Sequence, residues 1–259
     1  MTERMLESLS LAFAEISLPQ LAVIAGMALV ASVVGGVAGY GTGALMPLVL
    51  VPMVGAEPVV PILSISALLT NASRAAAFRS FVDGRRALIV LVAAVPTCVL
   101  GAWGYTLLTG KGAALVIGAM LVASVPLRRL MRRRGLALSS RGLAVACFGW
   151  GPLAGGTVGA GIILLSLLMA AGLEGAAVIA TDAVISIGIG LAKLATFGLA
   201  GAVNAQVIAI ALLIGAVAFP GAFLAKVLIG RLSVHVHAAI LDAVVIGGGA
   251  AMIVNAFAR

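Results

Sequence analysis

The sequence predicts an all-α polytopic membrane protein built from two inverted repeats of about five helical elements each. Three observations predict it. Apolar residues make up 63% of the 259-residue chain and charged residues only 9%, with a mean hydropathy of +1.27. A soluble domain of this size cannot cover its surface with so little charge. The apolar residues fall in successive segments, most close to the roughly 20 residues that cross a bilayer. Two glycine clusters, Gly35-Gly36-Val37-Ala38-Gly39-Tyr40-Gly41-Thr42-Gly43 and Gly155-Gly156-Thr157-Val158-Gly159-Ala160-Gly161, lie inside uncharged stretches, and each precedes a short apolar run. The apolar-polar alternation of a barrel strand is absent.

The segments expected to be helical are 18–38, 43–54, 58–80, 87–108, 112–130, 142–158, 161–172, 175–198, 204–230 and 237–257. The second and seventh are the short ones. A helix of about 12 residues reaches about 18 Å at 1.5 Å per residue, short of a hydrocarbon core of roughly 30 Å. These two are expected to be half-helices or re-entrant elements, which sets the number of crossings between about eight and ten. Glycine inside a helix costs roughly 1 kcal/mol relative to alanine, so the clusters call for a reason. One reason is close packing of helices in lipid. The other is a broken helix whose freed N–H groups face a cavity. The recurrence of the cluster favours the second.

The halves align at an offset of 117 residues. Glu57 and Glu174 each follow a glycine by two residues, and the same offset takes Ser64 to Thr181, Gly84 to Gly201 and Gly104 to Gly221. With a gap of one residue, Gly41 and Gly43 fall on Gly159 and Gly161. The chain then divides into an N-terminal segment (1–17), a first membrane repeat (18–130), a basic connector (131–141) and a second membrane repeat (142–259). The N-terminal segment lacks a cationic start and a small-residue cleavage site, so it is expected to be retained.

Arginines mark one side. Arg79, Arg85 and Arg86 flank the 81–84 turn, Arg128, Arg129, Arg132, Arg133, Arg134 and Arg141 form the strongest cluster, and Lys226 and Arg231 bracket the next-to-last turn. These are expected to be cytoplasmic, and the turns at 109–112 and 199–204, which carry only Lys111, to face out. Both termini then lie outside. The net charge of +8 is this topological bias, not a nucleic-acid surface. Cys98 and Cys147 lie in apolar segments and no disulfide is expected. His235 and His237, at i and i+2, do not face each other on a helix and read as interface residues, so no metal site is expected. Neither glycine cluster continues into the Lys-Ser/Thr of a nucleotide loop.

A charge at the bilayer centre costs on the order of 3 kcal/mol and asks for a partner or a function. Arg74 shares a helix face with Ser66, Thr70 and Asn71. It reads either as an arginine reaching the inner interface or as the head of a polar stripe toward an anion. Asp182, Ser186 and Lys193 share another face. Asp182 and Lys193 are about 16 Å apart along one helix, so each must find a different partner. Asp182 reads either as a structural hydrogen-bond group or as a proton- or ion-coupling carboxylate.

The first cluster running into Pro47 and Pro52, then Gly55-Ala56-Glu57-Pro58 and Ser64-Ile65-Ser66, resembles the first signature of the TauE/SafE sulfite-exporter family. The second cluster, Gly172-Leu173-Glu174, Ala180-Thr181 and the region from Lys193 to Phe197-Gly198 resemble its second signature. Tyr40 and Thr42 interrupt what is often a purer glycine run, and Asp182 stands where a small residue is common. The resemblance runs from about Leu18 to Ile253. It implies a bacterial inner-membrane, multi-pass permease of sulfite, organosulfonates or related anions.

The expected function is secondary transport of a small sulfur-containing anion, with an anion channel as the alternative and a membrane-embedded enzyme as the weaker one, since no nucleophile with a base or metal assembles. No catalytic residue and no cofactor are expected. The partners are a small anionic substrate and the lipid bilayer, not nucleic acid; a homodimer is compatible with the sequence. The anion is expected between the two glycine turns near the midplane. Gly39, Gly41, Thr42, Gly43, Gly159 and Gly161 would present N–H groups at helix N-termini. Ser64, Ser66, Thr70, Asn71 and Thr181 would add polar contacts, Arg74 and Lys193 positive charge, and Asp182 the coupling group.

Overall fold

The computed structural model describes residues 17–38, 42–133, 137–221 and 234–258. They form ten helices: α1 (Leu18–Ala38), α2 (Thr42–Val54), α3 (Val59–Ala77), α4 (Gly84–Thr106), α5 (Gly110–Arg133), α6 (Ser140–Gly156), α7 (Gly161–Ala170), α8 (Gly175–Leu199), α9 (Ala205–Ala218) and α10 (Val234–Ala258). A 3-10 turn, Arg79–Phe81, joins α3 to α4, and no strand occurs among the described residues. By length and composition, α3, α4, α5 and α8 can each cross a membrane. The short runs behind the glycine clusters are short helices, 13 residues in α2 and 10 in α7.

Local chemistry sets several ends. Asp83 caps α4 by accepting the Arg86 N–H, Ser139 caps α6 through Gly142, and Asn204 caps α9 through Val207. One expectation is corrected here. The apolar run 204–230 is not one helix, because α9 stops at Ala218 and Phe219-Pro220 form a turn. A proline lacks the N–H that continues a helix and crowds the turn before it. Two boundaries also move. The 58–80 segment ends as an α-helix at Ala77, and α5 continues through Arg133 into the expected connector.

The turns gather at two ends. At one, the Arg86 guanidinium donates to the Ala171 carbonyl at 2.7 Å, Leu138 N–H donates to Ala170 at 2.7 Å, and Asp83 N–H donates to the Thr181 hydroxyl at 3.0 Å. At the other, the Tyr105 hydroxyl donates to the Ala56 carbonyl at 2.6 Å, and its ring meets Phe197 edge-on with centroids 6.1 Å apart. α3 therefore runs toward the first end and α8 away from it. The two pack antiparallel along their length.

Helix partners come in matching pairs. α4 packs on α6 and α8, while α9 packs on α1 and α3. α5 packs on α7, α10 on α2, and α5 and α10 pack on each other. Gly55 and Gly172, which the offset of 117 brings together, share a left-handed backbone, with φ of 82° and 88°. Gly84 and Gly201 do not match in this way: Gly84 opens α4, whereas Gly201 has φ 72°.

The second glycine cluster, with Gly151 just before it, has two jobs. A methyl group at Gly151 or Gly155 would run into α4, against Thr97 and Ala94 in the first case and the Cys98 carbonyl in the second. These glycines, four residues apart, let α6 lie against α4, which is the packing role. Gly159 has φ 82° and forms the turn into α7. Gly39, Tyr40 and Gly41 of the first cluster lie outside the described residues, as do Arg134, Lys226 and Arg231 and the side chains of His235 and His237.

Candidate functional site

The site begins with the two short helices. α2 starts at Thr42 and α7 at Gly161, and their N-terminal turns meet: a Cβ placed on Gly43 would lie 3.4 Å from the Gly159 backbone nitrogen. Two helix N-termini with their positive dipole ends are thus brought together. Among the described residues, the N–H groups of Gly159, Ala160 and Gly161 have no backbone acceptor, as the first turn of a helix leaves them. The indole N–H of Trp150 donates to the Ala160 carbonyl at 2.9 Å, and the same carbonyl accepts from Ile163 within α7. Across a trans peptide the N–H lies opposite the carbonyl, so Gly161 N–H points back out of the helix start.

A cavity of about 140 Å³ lies there. Gly43 and the 157–161 turn line one side, and Leu63, Ser64, Ala67 and Asn71 of α3 and Ser186, Ile189, Gly190 and Lys193 of α8 line another. The α3 residues bracket the middle of Val59–Ala77 and the α8 residues lie at and just beyond the middle of Gly175–Leu199. The cavity is therefore about halfway along the bundle.

Lys193 is the charged residue among those lining it. It is only 7% exposed, and its Nζ donates to the Ala154 and Thr157 carbonyls at 3.0 and 3.3 Å. These carbonyls belong to the last turn of α6 and the residue just after it, where carbonyls lack helical partners. Among the described residues no carboxylate pairs with Lys193. An ammonium so deep in apolar surroundings, with dipoles but no counter-charge, favours an anion beside it.

Arg74 and Asp182 find each other. Arg74 Nη2 is 3.4 Å from Asp182 Oδ2, with Asp182 4% exposed, and Arg74 Nη1 donates to the Asn71 side-chain oxygen at 3.1 Å. Asp182 Oδ1 is buried without a hydrogen-bond partner in the described structure. The pair lies one helical turn from the cavity, and Asn71 joins the two.

The expected site residues therefore separate. Gly43, Ser64, Asn71, Gly159, Gly161 and Lys193 come together around one cavity. Arg74 and Asp182 sit behind Asn71. Thr42 opens α2 without being among the lining residues, and Gly39 and Gly41 lie outside the described residues. The Ser64, Ser66 and Thr70 hydroxyls donate to carbonyls of their own helix, at Val60, Leu63 and Ala67. Of these three, only Ser64 lines the cavity. Thr181, in the second turn of α8, accepts from the Asp83 N–H at the arginine-rich end and does not line the cavity. Sequence reasoning missed Trp150, Ala154 and Thr157 and left Ser186 out of the site. A tryptophan deep in an apolar segment must place its N–H on an acceptor, which was the available signal for Trp150.

An apolar helical bundle that holds a buried cation beside a cavity halfway along it fits a membrane transporter. The chain matches the sulfite exporter TauE/SafE family over residues 24–252, and it belongs to that family. No curated protein and no solved structure matches it.

Proposed function

We propose that this protein is a secondary transporter of small sulfur-containing anions such as sulfite or organosulfonates, a multi-pass protein of the bacterial inner membrane. The observation that carries the reading is Lys193, a buried ammonium without a carboxylate partner among the described residues, beside the meeting point of two helix N-termini. The ammonium and the free N–H groups together replace water around a dehydrated oxyanion. The matched helix partners, α4 on the second half and α9 on the first, support two inverted repeats with the site at their junction, the usual plan when half-helices frame a substrate.

Asp182 is the proposed coupling group, since it is a buried carboxylate joined to the cavity through Arg74 and Asn71. Asp182→Asn should flatten the pH dependence of uptake into proteoliposomes while substrate binding survives. A preserved pH profile would make Asp182 structural.

The direct test is thermal unfolding of the purified protein in detergent with sulfite, sulfate, thiosulfate, taurine and sulfoacetate, because a ligand that binds the folded state raises its stability. At least one should stabilise the protein, and Lys193→Gln should abolish the shift. Equal stabilisation in the variant would move the site elsewhere.

A further inference from the structure

We infer that the cavity is built for a singly charged anion, and that the Arg74–Asp182 pair enforces this by withholding a second positive charge. The inference rests on the reading of the cavity as the anion site. It concerns which ionic form that site accepts: hydrogensulfite or a sulfonate rather than a doubly charged sulfite or sulfate.

Lys193 is the charged group among the lining residues, and its neighbours are carbonyl and amide dipoles and the Cys98 thiol, with no carboxylate among the described residues. Among the described residues, the next cation is Arg74, one turn beyond Asn71 and connected to the cavity by its hydrogen bond to that residue. Asp182 neutralises it through Oδ2. Gly39, Tyr40 and Gly41, which precede α2 in the sequence and lie outside the described residues, carry no carboxylate or cationic side chain. Among the described residues, a monoanion in the cavity is thus matched one for one by Lys193. A dianion would leave one negative charge without a partner in apolar surroundings, which is costly.

The arrangement also says how the restriction could be lifted. Arg74 is held on two sides, by Asp182 and by Asn71. Remove the carboxylate and its guanidinium keeps only the Asn71 contact, which faces the cavity. Asp182→Asn then offers a second positive charge to an incoming anion. A planar guanidinium with several donors suits an oxyanion face.

The test is titration calorimetry in detergent at neutral pH, with methanesulfonate as the monoanion and sulfate as the dianion. Wild type should bind methanesulfonate about tenfold or more tighter than sulfate, the scale of one charge-assisted hydrogen bond. Asp182→Asn should narrow or reverse that ratio by raising the affinity for sulfate. Lys193→Arg should retain methanesulfonate, and Lys193→Gln should lose it. Wild type binding both anions equally overturns the inference and leaves the anion site standing, as does an unchanged ratio in folded Asp182→Asn. Binding of neither anion by folded wild type overturns the site together with the inference. If the Asp182 variant does not fold, the wild-type ratio decides alone.

Discussion

At the scale of single residues, the glycines carry the most information, and they do unlike things. Gly155 lies where α6 touches α4, and any side chain there meets the Cys98 carbonyl, which is rigid backbone. Gly155→Ala should force the helices apart and lower stability by about 1–3 kcal/mol or more, the usual cost of overpacking. Thermal unfolding in detergent checks this. Gly161, by contrast, has open space on its side-chain side. Gly161→Ala should leave the unfolding temperature close to wild type, and a drop as large as that of Gly155→Ala would show that the start of α7 is packed as tightly as the α4–α6 contact. The sequence alone could not separate these two uses, because both read as glycine in an apolar run. Lys193 was legible as a buried charge in need of a partner, yet its partners are the Ala154 and Thr157 carbonyls, which no side-chain pattern announces.

At the scale of elements, the ends of helices decide where the site lies. The two short helices were legible from length alone, since a run of 10 to 13 residues cannot span a bilayer. The break at Pro220 was legible in principle and was passed over because apolar residues continue on both sides of it. The Arg74–Asp182 pair was not legible, because it joins α3 to α8 across 108 residues of sequence (182 − 74) and depends on how those helices cross. At the arginine-rich end, Asp83 caps α4. The Arg86 N–H bond, helped by the Arg86 guanidinium 2.6 Å away, holds the Asp83 carboxyl below its ordinary range despite partial burial. A carboxyl lowered in the folded state adds stability above its unfolded pKa and loses it as pH falls through the folded value. Asp83→Ala should therefore cost about 1 kcal/mol at neutral pH. That difference should begin to shrink as pH falls below the ordinary carboxylate value of about 4, and vanish only once the lowered folded carboxyl also protonates. A loss that stays constant down to the acid limit would show that the cap acts through packing alone. Gly159→Val, in the other critical turn, should strain a left-handed backbone by about 1–2 kcal/mol and abolish anion-induced stabilisation.

At the scale of the whole molecule, charge and apolar surface together define a direction. Leu88, Val92, Leu100, Val145, Phe148, Leu191 and Val254 are exposed along the helices, as a surface facing lipid would be, while most of the described charged side chains lie near helix ends. The end that holds the 81–84 turn carries Arg79, Arg85, Arg86, Arg128, Arg129 and Arg141, with Arg128 and Arg129 both bonded to the buried Asp242 of α10. The opposite end, where Tyr105 meets Ala56, has Glu57 and Lys111 among its described turns. Arginine in short loops stays on the cytoplasmic side, so the first end should be inside. The wild-type cysteines are both buried, which leaves new ones as clean reporters. Ala137→Cys, in the exposed connector between α5 and α6, and Thr109→Cys, in the exposed turn between α4 and α5, sit at the two ends of one helix. In intact cells, a membrane-impermeant maleimide should label Thr109→Cys and spare Ala137→Cys until the membrane is opened. α5 is a continuous helix of 24 residues, about 36 Å long, enough to separate the two positions by a full bilayer. The reverse pattern would invert the assignment of sides. Labelling of both cysteines in intact cells would mean that α5 does not cross, and with it the plan of two opposed repeats around a midplane cavity would fall.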